Sequence, residues 1–311
     1  MATVFIGTSQ FAAAVLERLA AGEHRPALVI TRPDRPAGRG RRLRPPPVGE
    51  AARGLGVPVE QPADVNAPES LQLISAALGA GEEGGAAGRD GGVVGVCAFG
   101  ALIKEPLLSA HEILNVHPSL LPRWRGAAPI ERAIMAGDEL TGVSIMRLTA
   151  GLDSGPVCLA GTEPIAPGDD YGSLAGRLEV LGARLLIEAL EQAPPFAEQR
   201  DEDVTYAEKI VAEDRLLDPS RPAGELERVV RALHPHIGAR VQLADGTLLG
   251  VRRAALEEAS DAPELGVFAR DGRLLLGCSP GVLQLLEVQP PGARAMEADA
   301  YLRGHAAPGR R

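Results

Sequence analysis

Cysteine is scarce in this chain of 311 residues, and the three present, Cys97, Cys158 and Cys278, lie far apart. They form no CxxC pair and no spacing typical of a metal site, which excludes a disulfide framework and a cysteine-rich metal centre. Each lies in an apolar run. We therefore expect buried thiols, a reducing cytoplasmic location and no bound metal.

Long apolar runs and an excess of basic charge are also lacking. The N-terminal stretch has no basic region, and Glu17 and Arg18 interrupt the apolar residues that follow, so we expect neither a signal peptide nor a membrane span. The formal net charge of −9 gives no global sign of nucleic-acid binding. Local charge matters more than the sum for that question.

Aromatic residues make up only 3% of the chain, whereas hydrophobic residues of all kinds reach 45%. The core is therefore expected to be mainly aliphatic, and the length suffices for two domains. Residues 192–205 begin with Gln192-Ala193-Pro194-Pro195 and continue as a polar, charged stretch. We predict a first domain at 1–191, a linker at 192–205 and a second domain at 206–311.

The first domain begins with a short apolar run at 3–6, a Gly7 turn, a stretch of helical periodicity at 11–20 and a second apolar run at 27–31. This order predicts an α/β fold with a doubly wound, Rossmann-like parallel sheet. Residues 93–100 read as a central strand that is buried on both faces. A GxGxxG fingerprint is absent after the first strand, which disfavours a dinucleotide cofactor.

The second domain has a different pattern. Two hairpin signals occur at 240–252 and 267–276, each with a turn of Asp-Gly type, and a further strand is expected at 282–288. A capped helix is expected at 220–233. Several short strands with tight turns predict a smaller C-terminal OB-like β-barrel.

Three polar residues on two neighbouring segments form the predicted catalytic site. Asn115 and His117 alternate along an extended stretch, so both side chains project to one face, and Asp153 follows in a glycine-flanked turn. An amide, an imidazole and a carboxylate that converge can perform acyl transfer. No serine or cysteine lies in a nucleophile elbow, which favours direct transfer. Taken singly, each residue is more often a cap or a hydrogen-bonded loop residue.

The run from 115 to 157, with Arg-Trp-Arg-Gly-Ala-Ala-Pro-Ile at its centre, resembles the signature of folate-dependent formyltransferases. Among them it is most similar to those that act on methionyl initiator tRNA. The resemblance implies 10-formyltetrahydrofolate as the formyl donor and assigns a catalytic role to each residue of the constellation. Asn115 donates to the oxyanion, His117 stabilises charge and helps proton transfer, and Asp153 orients His117 and favours its protonated form. A water held by Asp153 competes as acceptor of the amine proton.

The pterin of the donor needs a flat apolar slot. By resemblance, two stretches that follow strands border this slot, with the cofactor-binding residues Phe99, Gly100, Leu102, Ile103, Ser119, Leu120, Leu121 and Pro122. Aliphatic residues after a buried strand usually belong to the core, and for Leu102 and Ile103 this alternative is about as strong as a role in binding.

A basic loop follows the second predicted strand. Residues 31–44 hold six arginines and one acidic residue, interspersed with glycine and proline. Such loops are often only solvated surface, but arginine clusters also contact phosphate. The loop resembles the insertion that contacts the acceptor stem of initiator tRNA, which implies that Arg39, Arg41 and Arg42 bind tRNA. The C-terminal domain then offers a second RNA-facing surface, and we expect a monomer.

Two alternatives remain open. A formyltransferase acting on a small amine, such as an amino sugar or glycinamide ribonucleotide, shares the same three residues, but those enzymes generally lack either the barrel or the arginine loop. A non-catalytic RNA-binding protein on the same scaffold is disfavoured by the intact Asn115, His117 and Asp153.

The chain departs from the resembled pattern at Ser9, where proline is usual, and near Leu217, where a tryptophan is often found.

Overall fold

The computed structural model of the protein describes residues 1–37, 42–79, 92–257 and 264–305. The chain divides into two compact units. Unit 1 contains Met1–Ala127, Leu140–Pro164 and Ala175–Ala207, and unit 2 contains Ala128–Glu139, Ile165–Leu174 and the chain from Glu208 onward. Segments 128–139 and 165–174, within the predicted first domain, therefore belong to unit 2. The boundaries 1–191, 192–205 and 206–311 remain a prediction.

The elements up to the middle of the chain are, in order, β1 (Thr3–Gly7), α1 (Gln10–Ala20), β2 (Leu28–Ile30), β3 (Arg35–Ala37), β4 (Arg42–Arg44), α2 (Pro47–Leu55), β5 (Val59–Glu60), α3 (Pro68–Leu78), β6 (Val93–Cys97), α4 (Leu107–Ala110), β7 (Glu112–His117), β8 (Arg125–Gly126), α5 (Pro129–Ala136), β9 (Leu140–Arg147), β10 (Val157–Pro164) and α6 (Tyr171–Gln192). They are followed by β11 (Tyr206–Ala207), α7 (Ala223–Leu233), β12 (Ala239–Gln242), β13 (Leu248–Leu256), β14 (Gly266–Arg270), β15 (Arg273–Gly277), β16 (Val282–Gln289), β17 (Met296–Glu297) and α8 (Ala298–Gly304), with short 3₁₀ helices at Asp201–Asp203 and Glu213–Arg215.

The sheet of unit 1 confirms the predicted α/β fold. Its seven strands lie in the order β10-β9-β7-β6-β1-β2-β5, and the five from β7 to β5 are parallel. Strands β9 and β10 extend it antiparallel at one edge. From β1 the chain proceeds to β2 on one side and later to β6 on the other, so the order reverses between β1 and β6. Ligand sites in such sheets lie beyond the carboxyl ends of the strands at this reversal.

Helices cover both faces of this sheet. On one face, Ile74 and Leu78 of α3 share a core with Val4, Ile6 and Val94 of the sheet. On the other, α6 approaches so closely that a Cβ at Gly182 would lie 2.9 Å from Val116 Cγ1. Each buried aliphatic side chain contributes roughly 1.5–3 kcal/mol relative to exposure, so the continuous apolar strands determine this layered packing.

The residue that departs from the resembled family, Ser9, is the N-cap of helix α1. The Ser9 hydroxyl oxygen accepts a hydrogen bond from the backbone N–H of Ala12 at 3.2 Å. Serine is a strongly preferred N-cap because it satisfies an amide that the helix itself leaves unpaired. The helix then buries Phe11, Val15 and Leu19, the apolar face that the periodicity predicted.

Unit 2 contains an antiparallel half-barrel, which confirms the predicted β-rich second fold. Its strands lie in the order β12-β13-β16-β15-β14, and β17 pairs with β16. Leu226, Val230 and Leu233 of α7 share its core with Val251 and Leu276 of the strands. The helix starts later than predicted, because Pro222 is its N-cap and no side chain caps it. Ser220 instead lies in a turn, where its backbone N–H donates to the Asp218 carboxylate at 2.9 Å.

Cys97 and Cys278 are buried, as expected, and Cys158 is half-buried. Burial raises the pKa of the Cys97 thiol far above its ordinary value, with the charge of Glu179 adding to the effect. Burial also raises the pKa of Cys278 to about 11. Both therefore stay protonated thiols at neutral pH. Within the described ranges, no helix combines the length and apolar character needed to cross a bilayer.

The first turn of α5 belongs to unit 2 and is held there by a two-point ion pair. Arg132 Nη1 donates to Asp214 Oδ1 at 3.0 Å, and Nη2 donates to Oδ2 at 2.8 Å. The Asp214 carboxylate also accepts the backbone N–H of Val211 at 3.0 Å. The hydrogen bonds from Arg132 are the main reason that the pKa of Asp214 lies below its ordinary value.

We expect Asp214→Asn to lower the free energy of unfolding at pH 7 by about 1–2 kcal/mol, because the charge-assisted pair is lost. A carboxylate with a lowered pKa stabilises the fold above its unfolded pKa of about 3.9, and this contribution disappears as the pH falls through the folded value. The difference in Tm between the two proteins should therefore be full at pH 7 and shrink below about pH 4. Asp203→Asn, the same change at an exposed side chain, is the matched control and should leave Tm unchanged. Equal shifts in both variants, or a difference independent of pH, would contradict the assignment.

Candidate active site

Strand β7 carries two of the predicted catalytic side chains at its carboxyl end. Asn115 lies between Val96 of β6 and Met146 of β9, and His117 lies opposite Ser144 of β9. Alternation along the strand directs both side chains to the same face. Both are buried, with exposed fractions of 8% and 4%. Among the described residues, no hydrogen bond engages the Asn115 amide, which leaves it available to a ligand.

His117 contacts two groups through its two ring nitrogens. Nε2 lies 2.9 Å from the backbone oxygen of Trp124, and Nδ1 lies 3.6 Å from Asp153 Oδ2. A carbonyl oxygen only accepts hydrogen bonds, so Nε2 carries the hydrogen in this contact. Nδ1 is then the nitrogen that can gain or lose a proton, and it faces the carboxylate. The structure thus brings His117 and Asp153 together, as the sequence predicted.

The Asp153 side chain reaches His117 from a turn with unusual backbone. Asp153 has a φ of 44°, in the left-handed region that costs a non-glycine residue roughly 1–2 kcal/mol. Its Oδ2 also accepts the backbone N–H of Gly126 at 2.8 Å. A Cβ at Gly155 would lie 1.9 Å from the Arg147 carbonyl oxygen, so only glycine fits there. This short distance explains why position 155, two residues after Asp153, is glycine.

Gln199 holds this turn and was not identified from the sequence. Its Nε2 donates to the carbonyl oxygens of Asp153 at 2.8 Å and Gly155 at 2.7 Å. Its Oε1 accepts from Nε of the buried Arg125 at 2.9 Å. The residue lies in the stretch predicted as a linker, and only its polarity distinguishes it there. The contact joins residues more than forty positions apart, for which one sequence carries no signal.

Thr205 holds the other side of the site. Its Oγ1 accepts the backbone N–H of Trp124 at 2.8 Å, and its carbonyl oxygen accepts the N–H of Arg125 at 2.9 Å. Trp124 has a φ of 63°, again in the left-handed region. Strand β11 then pairs in parallel with β8. Residues 199–207 therefore fix the Trp124 carbonyl that His117 contacts, as well as the Asp153 turn.

The first predicted cofactor stretch, 99–103, combines core and surface residues. Phe99 and Ile103 are each 5% exposed and belong to the core beneath the sheet edge, whereas Leu102 is 62% exposed. Gly100 is also exposed and has a φ of 73°. The Ile103 side chain therefore packs in the core, the alternative that the sequence left open, whereas Leu102 faces solvent.

The backbone of this stretch is fixed from three sides. The Thr8 hydroxyl donates to the Phe99 carbonyl at 2.8 Å, and Arg32 Nη1 donates to the Gly100 carbonyl at 3.2 Å. The Asn66 amide donates to the Leu102 carbonyl at 3.0 Å and accepts the Lys104 N–H at 2.7 Å. The loop at the carboxyl end of β6 thus has a defined shape before any ligand binds.

The second predicted cofactor stretch is Ser119, Leu120, Leu121 and Pro122. Ser119 is fully buried, and its hydroxyl donates to the Arg123 carbonyl at 2.6 Å. Ser144 of β9 donates to the Ser119 carbonyl at 2.8 Å and accepts the Leu121 N–H at 3.1 Å. The Ser119 side chain therefore shapes the loop. Leu120, Leu121 and Pro122 are half-buried and keep part of their surface open to a ligand.

The arginine loop starts at the same sheet edge as the site. Strands β3 and β4 form an antiparallel hairpin after β2, with Arg35 opposite Arg44 and Ala37 opposite Arg42 in the backbone register. Arg35 and Arg44 are exposed. Of the predicted tRNA-binding residues, Arg39 and Arg41 lie outside the described residues, and so does the side chain of Arg42. The described ranges contain no cluster of three or more His, Cys, Asp or Glu residues suited to a metal ion.

The arrangement supplies an unoccupied amide, an imidazole whose basic nitrogen faces a carboxylate, and two loops with fixed backbones. These groups can stabilise negative charge on a carbonyl oxygen and move a proton. The buried, protonated Cys97 at the end of β6 is no nucleophile. The geometry therefore suits direct transfer of an acyl group to an external acceptor.

Comparison with known proteins gives the family. The family model described as Formyl transferase matches residues 1–190, and the one described as Formyl transferase, C-terminal domain, matches residues 209–306. A curated methionyl-tRNA formyltransferase from Ruegeria pomeroyi is 41% identical over 312 residues, which cover 99% of this chain and 98% of the relative.

Two solved structures share the fold. A variant of HypX from Aquifex aeolicus superposes with a TM-score of 0.65 at 17% identity, covering 98% of this chain and 47% of HypX, so this chain spans about half the length of that protein. An N-formyltransferase from Helicobacter canadensis, in complex with folinic acid and dTDP-3-aminofucose, gives a TM-score of 0.66 at 13% identity and covers 94% of this chain and 99% of that one. At these identities the two structures support the fold alone. The match of both family models and the identity to the Ruegeria relative show that this chain belongs to the formyl transferase family.

Proposed function

We propose that this protein transfers the formyl group of 10-formyltetrahydrofolate to the free amino group of methionyl initiator tRNA, as a cytoplasmic monomer. One observation carries the proposal. The convergence of Asn115, His117 and Asp153 at the carboxyl edge of the sheet occurs in a chain that is 41% identical, over 99% of its length, to a methionyl-tRNA formyltransferase.

The reaction forms a bond between the amine nitrogen and the formyl carbon and breaks the bond between that carbon and the folate nitrogen. In the tetrahedral intermediate the formyl oxygen carries negative charge, which the Asn115 amide stabilises by donating a hydrogen bond. The amine nitrogen loses a proton, and the departing folate nitrogen gains one. Nδ1 of His117 and a water held by Asp153 compete as acceptor of the amine proton, since Nε2 of His117 is engaged by the Trp124 carbonyl.

The pterin is proposed to lie between the two fixed loops at this edge. Gly100, Leu102 and the half-buried residues Leu120, Leu121 and Pro122 offer backbone groups and apolar surface, while Phe99, Ile103 and Ser119 contribute through the backbone they support. Ordered loops before binding reduce the entropy cost of forming the complex. The family and the folinic acid in the Helicobacter canadensis structure support a folate donor.

The tRNA is proposed to contact the arginine loop through Arg39, Arg41 and Arg42. The described part of the hairpin places exposed Arg35 and Arg44 after the carboxyl end of β2, at the edge where Asn115 lies. Guanidinium groups bind phosphate oxygens in a bidentate manner, which suits an RNA backbone. The small-amine alternative draws on structures such as the enzyme in complex with dTDP-3-aminofucose, which is 13% identical to this chain.

The function is tested by measuring formyl incorporation from 10-formyltetrahydrofolate into methionyl initiator tRNA, methionyl elongator tRNA and a small amine in parallel. We expect transfer to initiator tRNA alone. Transfer only to the small amine would keep the chemistry and refute the proposed acceptor. A folded protein that binds folate but transfers to none of the three would refute the proposed reaction.

Asn115→Ala should lower kcat on the order of a hundredfold or more, because one oxyanion donor is removed. The side chain lies at the sheet edge without a hydrogen bond in the described structure, so folding and folate binding should be preserved. Steady-state kinetics with initiator tRNA, circular dichroism and a folate titration provide the measurement. A kcat near that of the unaltered protein would remove Asn115 from the reaction.

Gln199→Glu should lower kcat by about ten- to a hundredfold with little change in KM, because it removes both donors to the Asp153 turn and shifts the carboxylate. The substitution keeps an acceptor for the buried Arg125 but leaves two carbonyl oxygens without a donor, so Tm should fall while circular dichroism shows a retained fold. Gln192→Glu, the same change at an exposed position at the end of α6, is the matched control and should leave kcat unchanged. An unaltered kcat in both variants would exclude a positioning role for Gln199.

Arg42→Ala should weaken tRNA binding and leave the dissociation constant for folate unchanged. Loss of one phosphate contact should reduce the slope of log K against log salt by about 1. Binding measured between low and moderate salt, with Arg184→Ala on the exposed face of α6 as control, provides the test. A salt slope identical in all three proteins would argue against a phosphate contact at this position.

A further inference from the structure

Beside the candidate active site lies an exposed aromatic side chain that none of the chemistry above uses. Tyr206 is 58% exposed, and its hydroxyl has no hydrogen-bond partner within the described ranges. A tyrosine ring combines apolar contact area with a polar tip, which is why tyrosine is common where proteins bind ligands. The surroundings of Tyr206 indicate which ligand it suits.

The strand that carries Tyr206 is held firmly against its neighbour. The Ala127 N–H donates to the Ala207 carbonyl at 2.8 Å. Gly126 has a φ of 124°, and a Cβ there would lie 2.7 Å from the Ala207 carbonyl oxygen, so only glycine allows β11 to approach β8 this closely. Ala207 is fully buried, whereas Tyr206 is exposed. The strand is thus anchored on one side and presents the ring on the other.

The pairing of β11 with β8 places Tyr206 next to the reacting groups. Tyr206 lies opposite Arg125 in the register of the two strands. The residues on either side of Arg125 contact His117 through a backbone carbonyl and Asp153 through a backbone N–H. Neighbouring strands are about 4.8 Å apart, and paired residues project to the same face. The ring therefore lies one strand away from the segment that holds the imidazole and the carboxylate.

Arg125 adds a positive charge with unused donors at the same place. Its side chain is 7% exposed, and Nε donates to the neutral Gln199 Oε1 at 2.9 Å. Its two terminal nitrogens have no partner among the described residues and are not sealed from solvent. Arg125 also forms no ion pair with a described acidic residue. A buried charge without a counter-charge costs free energy, which a bound anion recovers.

A second aromatic ring of this segment is less accessible. Trp124 is half-buried, and the guanidinium of Arg123 lies over its ring at 4.5 Å from the centroid. One face of the indole is thereby covered. Tyr206 offers the more open surface for a planar ligand beside the site.

We propose that Tyr206 and Arg125 form a subsite for the terminal nucleotide of the acceptor, an inference that rests on the proposed function. The Tyr206 ring stacks on the base, and the terminal N–H groups of Arg125 donate to the 5′-phosphate of the same nucleotide. In an aminoacyl-tRNA only an ester and a ribose separate the reacting amine from the base. An amine placed at His117 therefore brings the base to the neighbouring strand.

The first test uses Trp124, the single tryptophan of the chain, as a fluorescent reporter next to Arg125. The full chain is titrated with adenosine 5′-monophosphate. We expect a saturable change, with the dissociation constant raised about tenfold or more in Tyr206→Ala but within about twofold in Tyr206→Phe, which keeps the ring. Leu73→Ala, at an exposed apolar residue of α3, is the matched control and should bind as the unaltered protein does. No saturable change, or equal affinity with and without the Tyr206 ring, would overturn the proposal.

The second arm separates the base from the phosphate. Adenosine should bind about tenfold more weakly than adenosine 5′-monophosphate, because it lacks the group that Arg125 contacts. Arg125→Gln should remove this difference and leave the affinity for adenosine unchanged. The comparison of the two ligands on the unaltered protein holds even if the variant folds poorly. Equal affinity for both ligands would overturn the assignment of Arg125.

The third arm places the ring on the acceptor side. Tyr206→Ala should raise KM for initiator tRNA about tenfold, far more than it changes kcat, and should leave the dissociation constant for folate unchanged. A loss of folate affinity instead would assign the ring to the donor and overturn the proposal. The nucleotide titrations require no formyl transfer, so failure of the proposed reaction and failure of this subsite appear in separate measurements.

Discussion

Gln199 donates both hydrogens of its side-chain amide to the carbonyls of Asp153 and Gly155, and these two bonds fix the turn that brings a carboxylate to His117. The turn needs this support because Asp153 adopts a left-handed backbone conformation, which is unfavourable for a residue other than glycine. Thr205 does the same for Trp124 on the opposite side of the imidazole. Strain on both sides of one histidine is therefore balanced by hydrogen bonds from a single later segment.

The sheet fixes the positions of the other two site residues, Asn115 and His117. Asn115 and His117 belong to a strand that is paired on both sides, so neither can shift without disturbing β6 and β9. The loops after β6 and β7 are anchored by side chains from other strands and turns, among them Thr8 and Ser144. A rigid strand thus carries the reacting side chains, while the loops around it are shaped in advance for a ligand.

The parts that could be predicted from the sequence are those determined by local pattern. The apolar strand Val93–Cys97, the Asp-Gly hairpin before β13 and the alternation of Asn115 with His117 follow from periodicity and turn chemistry, and the structure contains all three. Gln199 and Thr205 could not be found in this way, because their partners lie tens of residues away and nothing local distinguishes them from other polar residues. The start of α7 was misplaced for a local reason, since Pro222 rather than Ser220 precedes its first turn.

The glycine at 155 also limits how this enzyme can evolve. A Cβ at this position would lie only 1.9 Å from the Arg147 carbonyl oxygen, so any side chain would displace the backbone. Codon changes that replace this glycine are therefore expected to be removed by selection. Leu152, three residues earlier in the same turn, is 59% exposed, so core packing does not constrain its side chain. Variation in this turn is therefore expected at exposed side chains such as Leu152, whereas the path of its backbone stays the same.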